Sequence, residues 1–196
     1  MSVKLLAALA AFLTLIFARV ADAQTRVRAD HVTFDVALDV IPQPDTTVWV
    51  AIRQTIEPSW HTYWRNPGDT GLATSIAWTL PKGITAGEPQ WPVPERFTTG
   101  PIVNFGYRDN VTTLVPLHVA PDARVGGMAE VKLFVLECQE MCIPENVTLQ
   151  VKLSDAPGPS EEFTAARATM PKPFSGAAAL SVSARSVVLS LSDPSF

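Results

Sequence analysis

Cysteine is scarce: the 196 residues hold only Cys138 and Cys142. Two thiols cannot make the dense disulfide framework of small exported domains, and a chain this long can bury a core without one. Histidine is nearly as rare. His31, His61 and His118 are scattered and there is no second cysteine pair, so a zinc site lacks its ligands and no cofactor is expected. Positive charge is in deficit, 15 Lys and Arg against 19 Asp and Glu, and a net charge of −4 without a basic run excludes nucleic acid as a partner. Long apolar runs are missing with one exception, Leu5 to Ala18. That run is short of the roughly 20 residues that span a bilayer, follows Lys4, and precedes Arg19 and the small-x-small site Ala21-Asp22-Ala23. The pattern predicts a signal peptide over residues 1–23, cleaved near Ala23, and export of the remainder.

Helical periodicity is also lacking before residue 160, and alternation takes its place. Val32, Phe34, Val36, Leu38 and Val40 share one face of a strand, and Val48, Val50, Ile52 and Ile56 repeat the period of two. Leu72, Thr74, Ile76, Trp78 and Leu80 do so again before the Pro81-Lys82-Gly83 turn. Val111, Thr113, Val115, Leu117 and Val119 form a further strand, where Pro116 argues for an edge or a bulge. Val131 to Leu136 and Val147 to Leu153 flank the cysteines as a hairpin would. At least six strands and 17 prolines predict an all-β, antiparallel sandwich and exclude a thioredoxin architecture. That domain is expected over 24–154. Over 155–196 the sequence predicts a linker, a short helix with Ser160 as N-cap that Pro171 ends, and an unpartnered strand between Val182 and Leu191 that opens a second β domain. Between the strands, Trp60 to Asp69, Trp91 to Phe97 and Asn104 to Asp109 are rich in rings and turn residues. They plug the ends of a sandwich, cover the cysteine pair, or form a partner surface.

The cysteines carry the chemistry. Three residues separate them, and an extended chain could hold their Cα atoms ~13 Å apart, whereas a disulfide needs roughly 4.4–6.8 Å, so Gln139, Glu140 and Met141 must close into a turn. One helical turn would suit the spacing. As a structural bond, so short a loop would constrain the unfolded chain by only about 2 kcal/mol. Two thiolates with Met141 between them could instead hold Cu(I), as in a copper-tolerance protein. The remaining reading is reversible thiol–disulfide exchange. Glu137, Glu140 and Glu145 lie close in sequence and would raise a thiol pKa, which suits a carrier that holds its electrons until a partner docks. The rival from another class is a non-catalytic exported binding module with an inert disulfide.

Leu136-Glu137-Cys138-Gln139-Glu140-Met141-Cys142-Ile143-Pro144, with Tyr63-Trp64-Arg65-Asn66-Pro67-Gly68-Asp69, Gln90-Trp91-Pro92-Val93-Pro94 and Asn104-Phe105-Gly106-Tyr107, resembles the amino-terminal periplasmic domain of the DsbD family of transmembrane disulfide reductases. The likeness covers roughly Val27 to Leu153 and is greater to the ScsB (suppressor of copper sensitivity) branch. The cysteine spacing is shorter than in DsbD itself. The resemblance implies an immunoglobulin-like sandwich in the periplasm, a component of a protein-disulfide reductase. Its catalytic pair, Cys138 and Cys142, would take electrons from a membrane-embedded or thioredoxin-like reductase domain, in cis or in trans, and pass them to thioredoxin-fold periplasmic proteins. It further implies that Cys142 makes the mixed disulfide, that Cys138 resolves it, and that a cap loop between Arg96 and Tyr107 shields the pair.

Overall fold

The computed structural model describes residues 23–155 and 157–192, so the expected signal peptide lies outside the described residues except for Ala23. A five-stranded antiparallel sheet runs in the order β1 (Arg26–Arg28), β2 (Val32–Leu38), β3 (Thr46–Ile56), β9 (Asn110–Val119), β6 (Ile84–Ala86). Facing it is a three-stranded sheet in the order β11 (Cys142–Lys152), β10 (Met128–Cys138), β5 (Ser75–Thr79). The alternation read from the sequence sets which side chains meet between them. Phe34, Leu38, Val48, Val50, Val115 and Leu117 point inward from the first sheet, and Val131, Leu133, Val135, Val147 and Leu149 from the second; all are buried. The result is the expected immunoglobulin-like sandwich.

The first sheet is covered on its outer face as well. Helix α1 (Ser160–Ala168) lays Phe163 and Ala166 against Ala51 and Leu114, residues that alternate out of phase with the inner set. Arg53 pairs with Glu162 and Arg167 with Asp39, and the Arg167 guanidinium lies 5.0 Å from the centre of the Trp49 ring. Ser160 is not the N-cap. Pro159 occupies that position and no side chain caps the helix, whereas Ser160 is its first residue and its carbonyl accepts from the Thr164 hydroxyl at 3.0 Å.

Three other expectations change. Pro116 sits in an interior strand, β9, rather than at an edge. Its carbonyl accepts from Gly87 N–H on the β6 side, so the missing donor also faces β6, where the pairing registers only Ile84, Thr85 and Ala86. Asn66-Pro67-Gly68 lies within β4 (Thr62–Gly68), not in a free turn. The β4 register slips between Tyr63 and Gly68, and Gly68 takes φ +94°, so the turn residues make a bulge. Finally, the strand expected alone near the carboxy terminus is a hairpin, β12 (Ala177–Val182) with β13 (Val187–Ser192), exposed along its length.

A third sheet, in the order β4, β8 (Ile102–Tyr107), β7 (Glu95–Thr99), stands at one end of the sandwich. It draws on all three of the ring-rich segments, and it positions the site.

Candidate functional site

Cys138 ends β10 and Cys142 begins β11; they face each other in register at a Cα–Cα distance of 4.1 Å and are joined by a disulfide. The closure is therefore a β-hairpin with a three-residue connection, in which Gln139 N–H donates to Met141 O at 3.1 Å, rather than a helical turn. The two sulfurs live in different surroundings. Cys138 is 1% exposed, whereas Cys142 is open to solvent. Met141 projects from the hairpin tip at 71% exposure.

On its other side Cys138 is bridged to His61. His61 N–H donates to Cys138 O at 2.9 Å and Cys138 N–H to His61 O at 3.0 Å, which joins the third sheet to β10. Directly opposed residues in antiparallel strands point to the same face, so His61, Cys138 and Cys142 form a row across three strands. The hairpin β7–β8 overhangs that row. Phe97 stands 5.1 Å from the His61 ring, the Arg108 guanidinium stacks 4.4 Å from the Phe97 ring, and Tyr63 meets His61 edge-on at 5.3 Å. Between hairpin and disulfide lies a cleft of about 350 Å³ lined by His61, Tyr63, Phe97, Asn104, Cys138 and Cys142, among others. Burial, with a smaller contribution from Arg108, keeps the His61 pKa below that of a free imidazole; burial also raises the Tyr63 hydroxyl.

Glu137 does not join the thiols. As the residue before Cys138 it points to the opposite face of β10, where it is fully buried. Its Oε2 accepts from His31 N–H at 2.8 Å, while Oε1 has no partner among the described residues. Burial raises its pKa to about 7, against the lowering effect of that hydrogen bond. Nearby, His31 stacks on Trp60 at 3.6 Å and bonds Glu57 through Nδ1 at 2.9 Å.

The tryptophans plug and pack rather than cover the pair: Trp60, Trp64 and Trp78 lie against the core and Trp91 is part of it. The rings that line the cleft with the cysteines are His61, Tyr63 and Phe97. The segments that hold them are visible in the sequence, but His61 itself is not, because a lone histidine far from its fellows reads only as an incomplete zinc site. The available signal was its place at the head of a ring-rich strand.

Residues 26–154 match the family model described as thiol:disulfide interchange protein DsbD, N-terminal. The chain belongs to the DsbD amino-terminal family. The match spans the sandwich and both cysteines, so within this family the Cys138–Cys142 bond identifies a thiol–disulfide interchange domain. Among solved structures, the amino-terminal periplasmic domain of ScsB from Proteus mirabilis superposes with a TM-score of 0.68 at 24% identity, over 86% of this chain and 68% of that one. The DsbD amino-terminal domain of Neisseria meningitidis, in the reduced form, gives a TM-score of 0.39 at 16% identity, over 64% of this chain and 86% of that one. No curated protein matches the sequence. No helix among the described residues is long and apolar enough to cross a membrane.

Proposed function

We propose that this DsbD-family domain is exported to the periplasm by residues 1–23 and relays reducing equivalents through Cys138 and Cys142. A membrane-embedded or thioredoxin-like reductase domain reduces the pair, and the dithiol then reduces the disulfide of a thioredoxin-fold protein. The supporting observation is the asymmetry of the two sulfurs. An attacking thiolate must reach its target, and a resolving thiol must sit within bonding reach of the attacker. Cys142 is exposed, and Cys138 is buried directly opposite it. In the forward step Cys142 thiolate attacks one partner sulfur and the other leaves as thiolate; Cys138 then displaces the partner from Cys142. Two electrons pass to the partner and the intramolecular disulfide re-forms.

Cys138→Ala should therefore trap a covalent complex with a thioredoxin-fold protein through Cys142, and Cys142→Ala should trap little, as read on non-reducing gels of periplasmic material. The reverse pattern would exchange the roles. No complex from either variant, with a reduction potential below about −300 mV, would mark the bond as structural and the domain as a binding module.

A further inference from the structure

We infer that His61 is the proton acceptor for the Cys138 thiol in the resolving half of the exchange. The inference rests on the exchange reading above and assigns it a residue that the family match does not single out. Cys138, buried at 1% exposure, poses a chemical problem. The nucleophile in resolution is a thiolate, and burial disfavours the charged form of a thiol, so an unassisted Cys138 would be slow.

The cleft offers few remedies. The Arg108 guanidinium cannot accept a proton, and the raised Tyr63 hydroxyl is a donor at neutral pH. The Glu137 carboxylate lies on the far face of β10. His61 is different in both place and state. It forms a fully hydrogen-bonded antiparallel pair with Cys138, a geometry that holds Cα atoms about 5.5 Å apart with both side chains on one face. Cys142 is one strand further along the same row, so the resolving cysteine, rather than the attacking one, is the direct cross-strand neighbour of His61. The groups facing the ring are Tyr63 from β4, whose hydroxyl is 3.4 Å from Nε2, Phe97 from β7, Arg108 from the turn after β8, and the cysteines. Burial, and to a lesser degree Arg108, lower the ring's pKa and so favour the neutral imidazole, whose unprotonated nitrogen can accept a proton.

The step balances. Cys138 gives its proton to the His61 ring, and the thiolate attacks Cys142 Sγ in the mixed disulfide. The Cys138–Cys142 bond forms as the bond from Cys142 to the partner breaks. The electron pair leaves on the partner sulfur, which is protonated by the imidazolium or by water.

The test uses the full chain, reduced, with the aryl disulfide dithiobis(nitrobenzoate), so that no protein partner is needed. Cys142 releases one thionitrobenzoate on attack, and Cys138 releases a second on resolution. His61→Gln should slow the second release by about 100-fold at neutral pH, the lower end of what a positioned base contributes, and leave the first unchanged. The deficit should close at alkaline pH, where solvent ionises the thiol. His61→Phe should repeat this. In the unsubstituted chain the second release should follow an ionisation below that of free imidazole. A second release equal to that of the unsubstituted chain would overturn the inference. So would equal slowing of both releases, or a deficit that persists at alkaline pH, since each indicates lost packing. Partner trapping by Cys138→Ala leaves His61 in place, so the relay can stand if this inference fails. A His61-dependent second release together with no complex trapped by Cys138→Ala would uphold this chemistry and sink the relay.

Discussion

At the scale of single residues, strand alternation decides what a carboxylate does. Glu137 looks like a neighbour of the thiol in sequence, yet one step along β10 turns it into the core with an unpartnered oxygen. Its folded pKa of about 7 lies above the unfolded value of about 4.3, so between those limits the folded chain holds a proton that the unfolded chain has released. Its contribution is favourable below that window and is lost as pH rises through it. Glu137→Gln should therefore raise stability at pH 8 by on the order of 2 kcal/mol and change it little below pH ~4, measured by denaturant melts across pH. A difference independent of pH would remove the ionisable group as its cause. The cysteine pair was legible as a site because two thiols at short spacing had few other uses. The position of His61 was not, since its bridge to Cys138 spans 77 residues of sequence and depends on how two sheets meet.

Among the elements, those with a regular inner face were readable and the overhanging hairpin was not. Strands β2, β3 and β10, and β11 from Val147 on, keep a buried face at every second residue, which is what a period of two reports, and β9 buries its outer face as well. Strands β7 and β8 bury almost nothing along most of their length, so their sequence resembles loop. The tail hairpin β12–β13 is exposed throughout and gave the pattern of one strand for the same reason. What holds β8 in place is a close approach: a Cβ on Gly106 would lie 2.0 Å from the Thr62 carbonyl oxygen of β4. Gly106→Ala must therefore push β8 away and lift the hairpin from the cleft. It should cost about 1–3 kcal/mol and speed reduction of the disulfide by dithiothreitol several-fold. If the melting point falls but the reduction rate stays the same, the hairpin does not govern access to the sulfurs.

For the whole molecule, the sandwich and the cysteine-bearing hairpin followed from alternation, while the order of strands in the sheets and the docking of α1 did not. The outer face of β9 is apolar because Leu114 awaits Phe163, a residue about fifty positions later, and no local pattern shows that pairing. A last consequence follows from the hairpin. Ten further register pairs besides Cys138 and Cys142 hold β10 to β11, so the ladder keeps its alignment whether or not the sulfurs are joined. Folding and bonding form a closed thermodynamic cycle: whatever the bond adds to the fold, the fold must return to the bond. Closing so small a loop adds about 2 kcal/mol, and for a two-electron couple that corresponds to about 45 mV. The midpoint potential of the folded domain should accordingly lie only about 45 mV more negative than that of its own unfolded chain, and the same 2 kcal/mol should separate the oxidised and reduced proteins in denaturant melts. A gap of 150 mV would show that reduction rearranges the molecule. A small gap makes the domain a carrier whose shape is nearly indifferent to its charge of electrons, so that a partner must tell the two forms apart by the sulfurs themselves.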